Sequence, residues 1–464
     1  MQLTSLTISE ASRLIESRQL SPVELTQAHL ERIEKLDPRL NCFITTTPEI
    51  ALDMARRAES EIQAGGWRGD LHGIPLALKD LFETRGIRTT AGSKFFADYL
   101  PLEDAHVVHR LYQAGAILLG KLNMHEIALG VTNVNPHYGP CRNPWDIERS
   151  PGGSSGGSAA ALAASLCMGS LGTDTGGSIR IPASLCSVVG MKPTNGRVSL
   201  RGVIPLSWNL DHVGPMARCV RDVALLLQVV AGYDAQDAYS APVPVGDYLA
   251  ELEAGVRGWR VALAMDEYVL AETDPEIQNG VRAAAEVFRQ LGARVETIEL
   301  PQALEAARAN RLMTTSDAAA FHRQRLQEAP QDFGEDVLLR LQSGAAFTST
   351  EYSLARHLQS LLRRRYDELL STYDILLTPT TPLAAPVIRL GPDAIEQARQ
   401  LTRFTSPFNL TGLPALSLPC GFTSMGLPYG LQIVARSWGE AVVLRAGYAY
   451  EQATEWHQRK PELN

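Results

Sequence analysis

Apolar residues recur at Leu25, Ala28, Leu30, Ile33 and Leu36, close to the spacing of one helical face. They follow Ser21-Pro22-Val23-Glu24, which reads as a capping box with proline at the first helical position. A second amphipathic run, from Pro48 to Ala64, stops at Gly65-Gly66. Residues 1–65 are therefore predicted to form a helical layer that packs and carries no chemistry. From residue 73 the pattern changes to short apolar runs separated by helical segments. Ile74–Leu78, Ala116–Leu119 and an alanine-rich stretch after Ser158 come first. Trp259–Ala264, Ala293–Leu300, Ile375–Leu377, Ala415–Leu418 and Leu431–Val434 follow. Strands buried on both faces and separated by helices predict an α/β fold around a central sheet. Ala241-Pro242-Val243-Pro244 reads as a surface excursion, too short to divide the chain. The expectation is one domain over 1–464: the layer 1–65, a core 66–225, and a remainder 226–464 that completes the sheet and shapes a pocket.

Composition narrows the function classes. The 464 residues include 45% hydrophobic and 20% charged residues, with a formal net charge of −8. A mildly acidic chain argues against nucleic acid or anionic lipid as the main partner, since both need clustered Lys and Arg. Cys42, Cys141, Cys167, Cys186, Cys219 and Cys420 are widely spaced, so neither a zinc knuckle nor a disulfide framework is indicated. The N-terminus lacks a basic start followed by an apolar core, and no apolar run approaches the ~20 residues that span a bilayer. A cytoplasmic protein without a membrane role is expected, with reduced, mostly buried thiols.

Candidate chemistry concentrates in three places. Pro151-Gly152-Gly153-Ser154-Ser155-Gly156-Gly157-Ser158 and Gly172-Thr173-Asp174-Thr175-Gly176-Gly177-Ser178-Ile179-Arg180 set hydroxyls among glycines, where backbone N–H groups can face a ligand. Lys79 ends the apolar run Gly73-Ile74-Pro75-Leu76-Ala77-Leu78, a costly place for a charge. Each feature alone has a plain structural explanation: a glycine–serine run is commonly a turn, and a strand-end lysine commonly reaches water. Their combination is what points to catalysis.

With Gly190-Met191-Lys192-Pro193-Thr194, Leu210-Asp211-His212-Val213-Gly214-Pro215-Met216-Ala217-Arg218 and Gly412-Leu413-Pro414-Ala415, these motifs resemble the amidase signature family over nearly the whole chain. That family includes stand-alone amidases, aryl acylamidases, carbamate (urethane) hydrolases and the glutaminase subunits of amidotransferases. The resemblance implies a large mixed central sheet flanked by helices on both faces, and no metal or organic cofactor. It implies a Ser–cis-Ser–Lys triad with Ser178 as nucleophile, Ser154 as bridging serine and Lys79 as terminal base. It also implies an oxyanion hole of backbone N–H groups at Thr175, Gly176, Gly177 and Ser178. Ser155, Asp174 and Arg180 would support the glycine loops. The chemistry is coherent: a serine hydroxyl needs a base, and burial favours the neutral lysine that can act as one. The resemblance places Ala128, Leu129, Gly130 and Ile181 at the substrate. These small or apolar residues predict an uncharged, partly apolar substrate, such as an aryl or alkyl amide, an anilide or a carbamate.

Other readings fare worse. Gly152-Gly153-Ser154-Ser155-Gly156 matches a nucleophile elbow, but the preceding Arg142 to Arg149 reads as an irregular turn where the elbow needs a strand. A Walker loop would need a lysine after Gly157. His106 and His109 lack further ligands for a metal. The glutaminase (A) subunit of a tRNA-dependent amidotransferase would use the same triad on glutamine. Those subunits usually carry Gln where Ile181 stands, and Val131 to Gly139 looks more like stand-alone amidases. A binding module without activity is disfavoured because Lys79, Ser154 and Ser178 are all present. The expected partner is a small-molecule amide, anilide or carbamate, with a homodimer admitted.

Overall fold

The computed structural model describes residues 3–389 and 393–463. The helix start at Ser21 forms: Ser21 Oγ accepts the N–H groups of Val23 and Glu24, and the helix Pro22–Leu40 follows. The acid bonded to Ser21 Oγ is Glu59, at 2.5 Å, rather than Glu24. The layer 1–65 is not wholly helical, a correction to the sequence reading. Phe43–Thr46 is a strand (β1), four residues between two helices and too short for a period of two to register.

The sheet has eleven strands. After β1 come β2 (Pro75–Lys79), β3 (Ile117–Leu122), β4 (Gly169–Thr173), β5 (Val189–Lys192), β6 (Val213–Ala217), β7 (Arg260–Ala264), β8 (Arg294–Ile298), β9 (Ile375–Pro379), β10 (Ala415–Phe422) and β11 (Pro428–Val434). Their spatial order is β1-β3-β2-β4-β6-β5-β10-β11-β9-β7-β8. Two parallel triplets, β3-β2-β4 and β9-β7-β8, are joined through an antiparallel middle, so the sheet is mixed. β4, β5 and β6 escaped the sequence reading because glycine and polar residues break their apolar runs. β8 is an edge strand with largely exposed residues, so burial on both faces does not extend to it.

The register of the first triplet places the site. Leu78 of β2 lies beside Leu171 of β4, so Lys79 and Thr173 end neighbouring parallel strands at one edge. β3 ends at Leu122 and leads into residues 123–130. Ligands gather at the carboxyl ends of parallel strands because connecting loops converge there. Here three such loops do so. None of the described helices is long and apolar enough to cross a membrane.

Candidate active site

Lys79 is fully buried at the end of β2 and donates to Ser154 Oγ and Thr173 Oγ1, each at 2.7 Å. Burial disfavours its charge and lowers the ammonium to about 7, against the pull of Asp211 and Asp174. A substantial neutral fraction therefore exists near neutral pH. Ser154 follows a cis peptide bond from Gly153, and its carbonyl accepts the His125 N–H at 3.1 Å. Ser155 bridges the two serine loops: its N–H donates to Ser178 O at 3.2 Å and its hydroxyl to Thr173 O at 3.3 Å. Between Leu122 and Gly169 the described residues contain no strand, so Ser154 does not sit on a strand-to-helix elbow.

The loop after β4 is tied by one buried ion pair. The two Asp174 oxygens accept Arg180 Nη2 at 2.9 Å and Nε at 3.0 Å, and Arg180 also donates to Thr405 O, Gln432 Oε1 and Asn409 Oδ1. Burial alone would raise the Asp174 carboxyl, but Arg180 holds it well below the usual carboxylate range. Asp174 also accepts the Gly177 N–H at 2.8 Å and the Ile179 N–H at 3.1 Å. This corrects the expected oxyanion hole, because the Gly177 N–H is taken by Asp174. Among the described residues the N–H groups of Thr175, Gly176 and Ser178 donate to nothing, which leaves them for a ligand. Gly177 serves the loop otherwise: φ is 135°, and a Cβ there would lie 2.2 Å from Thr405 Oγ1. Thr175 Oγ1 donates to Asp211 Oδ1 at 2.5 Å, and burial pushes the Asp211 carboxyl up to about 6.

Ser178, Thr175 and Gly176 line a cavity of about 200 Å³, as do Ala128, Leu129 and Gly130. Lys79 and Ser154 do not line it and are fully buried. Ile181 is not on the wall either. It packs with Val131, Leu185, Ala385, Ala398 and Leu401, and its Cδ1 lies 2.6 Å from where a Gly177 Cβ would be. The helices Ala303–Phe321, Glu335–Ala346 and Asp393–Leu401 supply the rest of the wall, including Asn310, Arg311, Arg340 and Arg399. Three arginines at the cavity overturn the expectation of an uncharged lining. No hydrogen bond joins an imidazole to Ser178 among the described residues, so a histidine-based triad is not assembled. No group of three or more His, Cys, Asp or Glu among them is placed to hold a metal.

Thr173 and Asn310 were missed by sequence reasoning. Thr173 could have been found as the residue ending a strand beside Lys79, had β4 been recognised. Asn310, whose Nδ2 donates to Thr175 O at 3.1 Å, has no local signal beyond being polar on a buried helical face.

A family model described as Amidase matches residues 24–444. The chain is 43% identical to the glutaminase (A) subunit of the glutamyl-tRNA(Gln) amidotransferase of Moorella thermoacetica, over 100% of this chain and 99% of that one. Among solved structures, it superposes with a TM-score of 0.90 on a bacterial aryl acylamidase of the amidase signature family, at 28% identity over 98% of this chain and 97% of the other. A chain from a vestigial protein complex linked to the origins of an s-triazine catabolic enzyme gives a TM-score of 0.91, at 34% identity over 96% and 98%.

Proposed function

The chain belongs to the amidase signature family, and on that premise we propose that it cleaves the C–N bond of a small amide through an acyl-enzyme on Ser178. The observation that carries this reading is a partition: Ser178 lines the cavity, while the hydrogen-bonded pair Lys79 and Ser154 is sealed from it. In the proposed reaction Ser178 Oγ attacks the amide carbonyl and gives its proton to Ser154 Oγ. Ser154 passes its own proton to neutral Lys79. The oxyanion is received by the free N–H groups of Thr175, Gly176 and Ser178, worth several kcal/mol of barrier in such sites. Reversal of the relay protonates the leaving nitrogen, and water then releases the acyl group from Ser178. Carbamates present the same oxyanion and fall within the same chemistry.

A second reading is favoured by the full-length similarity to the glutaminase subunits of tRNA-dependent amidotransferases. The same triad would then release ammonia from glutamine beside partner subunits, for use on a charged tRNA. The net charge of −8 gives this chain itself little attraction for tRNA. The deciding experiment offers primary amides, anilides, carbamates and glutamine to the purified chain and to Ser178→Ala, with mass spectrometry for an acyl adduct. Turnover by the chain alone with an adduct on Ser178 supports the first reading. Silence until partner subunits are added, and then activity on glutamine, moves the chain to the second. Turnover that survives Ser178→Ala would overturn both.

A further inference from the structure

The cavity that Ser178 lines is also lined by Arg340, whose Nε and Nη2 are buried without a hydrogen bond. Those two donors form one edge of the guanidinium, the edge that fits both oxygens of a carboxylate. The nearby carboxylate is Asp336, one helical turn earlier, at 3.7 Å from Nη2 and beyond hydrogen-bond reach. Asp336 is engaged elsewhere, with His125 Nε2 at 3.0 Å. Burial, helped by Arg311, pulls the Arg340 guanidinium below its ordinary value, while Asp336 pulls the other way. A buried guanidinium with two idle donors is costly unless something fills the site. Thr314 Oγ1 and Ser406 Oγ, on the same wall, are likewise buried and unbonded.

The acids of the cavity point the same way. Among the described lining residues the carboxylate is Glu396, whose side chain is 58% exposed and already paired with Arg399 at 2.7 Å. No buried acid faces the cavity to receive an ammonium, whereas Arg340 and Arg311 would repel one.

Arg340 is also tied to the catalytic loops. Glu126 Oε2 accepts the Gly334 N–H at 2.8 Å at the start of the Arg340 helix, and His125 holds Asp336 in its first turn. The His125 backbone N–H meanwhile donates to Ser154 O. One short segment, residues 125–130, thus joins the arginine helix to the bridging serine and supplies part of the cavity wall.

We infer that Arg340, positioned by the His125–Asp336 contact, receives a substrate carboxylate, and that the substrate is an amide or ureido acid without a free ammonium. This rests on Ser178 acting as an amidase, and it deepens that reading by setting the substrate class. It also departs from glutamine, which carries both charges.

The test is binding to the Ser178→Ala chain, where turnover does not intervene. The probes are malonamate, succinamate and glutaramate, the methyl ester of each, and glutamine. An acid should bind roughly 10- to 100-fold tighter than its ester and than glutamine, as one charge-assisted pair predicts. Adding Arg340→Met should erase the acid's advantage and leave the ester unchanged. Arg340→Lys should restore part of it, and His125→Ala should weaken the acid alone. Failure of all three acids to bind, equal loss of acid and ester on Arg340→Met, or glutamine binding as well as glutaramate would each overturn the inference. Ammonia release by the unmutated chain, abolished by Ser178→Ala, would leave the amidase reading standing in all those cases.

Discussion

Two regions meet at the cavity and are built on different terms. The floor comes from the loops after β2 and β4 and from the 150–158 stretch. It is buried throughout, and backbone and side chains lock one another through Asp174, Arg180 and Ser155. The wall comes from three helices later in the chain and holds arginines, an exposed ion pair and unbonded hydroxyls. A fixed reaction needs atoms held to fractions of an ångström, which only a mutually bonded core provides. Substrate choice needs a surface whose side chains can change without disturbing that core. The floor should therefore answer mutation with loss of chemistry or of fold, and the wall with altered binding.

The largest effects belong to the floor. Ser178→Ala is expected to lower kcat by about 10⁴-fold or more with the melting temperature unchanged, since the side chain makes no hydrogen bond that the fold needs. Lys79→Ala should lower amide hydrolysis at least about 100-fold more than hydrolysis of a matched ester. An amine must be protonated to leave and an alkoxide much less so. Steady-state kinetics on an amide and ester pair measures this, and equal losses would argue against the relay.

Arg180→Met tests whether the floor is one locked unit. It leaves the Asp174 carboxylate buried without its ion-pair partner, at a cost of about 3–5 kcal/mol. Denaturant unfolding should show a lower midpoint, and activity should fall with it. A stable but inactive variant would mean that Arg180 shapes the oxyanion loop without holding up the fold.

The two regions also differ in what a sequence can reveal. Glycines and hydroxyls crowd the floor because the chain must approach itself closely there. A Cβ on Gly172 would meet Ser155 Oγ at 2.7 Å. Such constraints are local in sequence, so Lys79, Ser154 and Ser178 could be picked out before any fold was known. The same glycines hid β4, β5 and β6 by breaking their apolar runs. The wall leaves no local trace. Arg340 sits on a helix whose pattern fits an ordinary amphipathic surface, and nothing in residues 335–346 says that 178 is near. Reading the pocket from residues 128–130 alone therefore gave an uncharged lining, because the charges arrive from helices more than a hundred residues away.

A subtler effect links charge to pH within the floor. The relay requires neutral Lys79, lowered to about 7, so kcat/KM should rise with pH through that value and fall about tenfold per unit well below it. Asp211 attracts the lysine proton and holds that value up. Asp211→Asn should therefore move the acid limb to lower pH, by up to about one unit on the scale of buried charge interactions. A limb that stays in place would mean that the titrating base is not Lys79.

The smallest expected effect lies at the rim of the wall. Arg399 lines the cavity as Arg340 does, but its side chain is 48% exposed and bonded to Glu396. Exposed pairs of this kind contribute about 0–1 kcal/mol, because water screens both charges and the long side chains lose freedom when they meet. Arg399→Gln should leave kcat unchanged and raise KM for an acidic amide by less than about fivefold. The effect should shrink further in 0.5 M salt, where the Debye length drops to about 4 Å. Arg340 is buried, so its substitution should cost far more and depend little on salt. Measuring both variants at two ionic strengths thus separates a rim charge that steers from a buried charge that binds. An Arg399 effect as large as that of Arg340, and as insensitive to salt, would place the anion contact at the rim and dissolve the distinction between them.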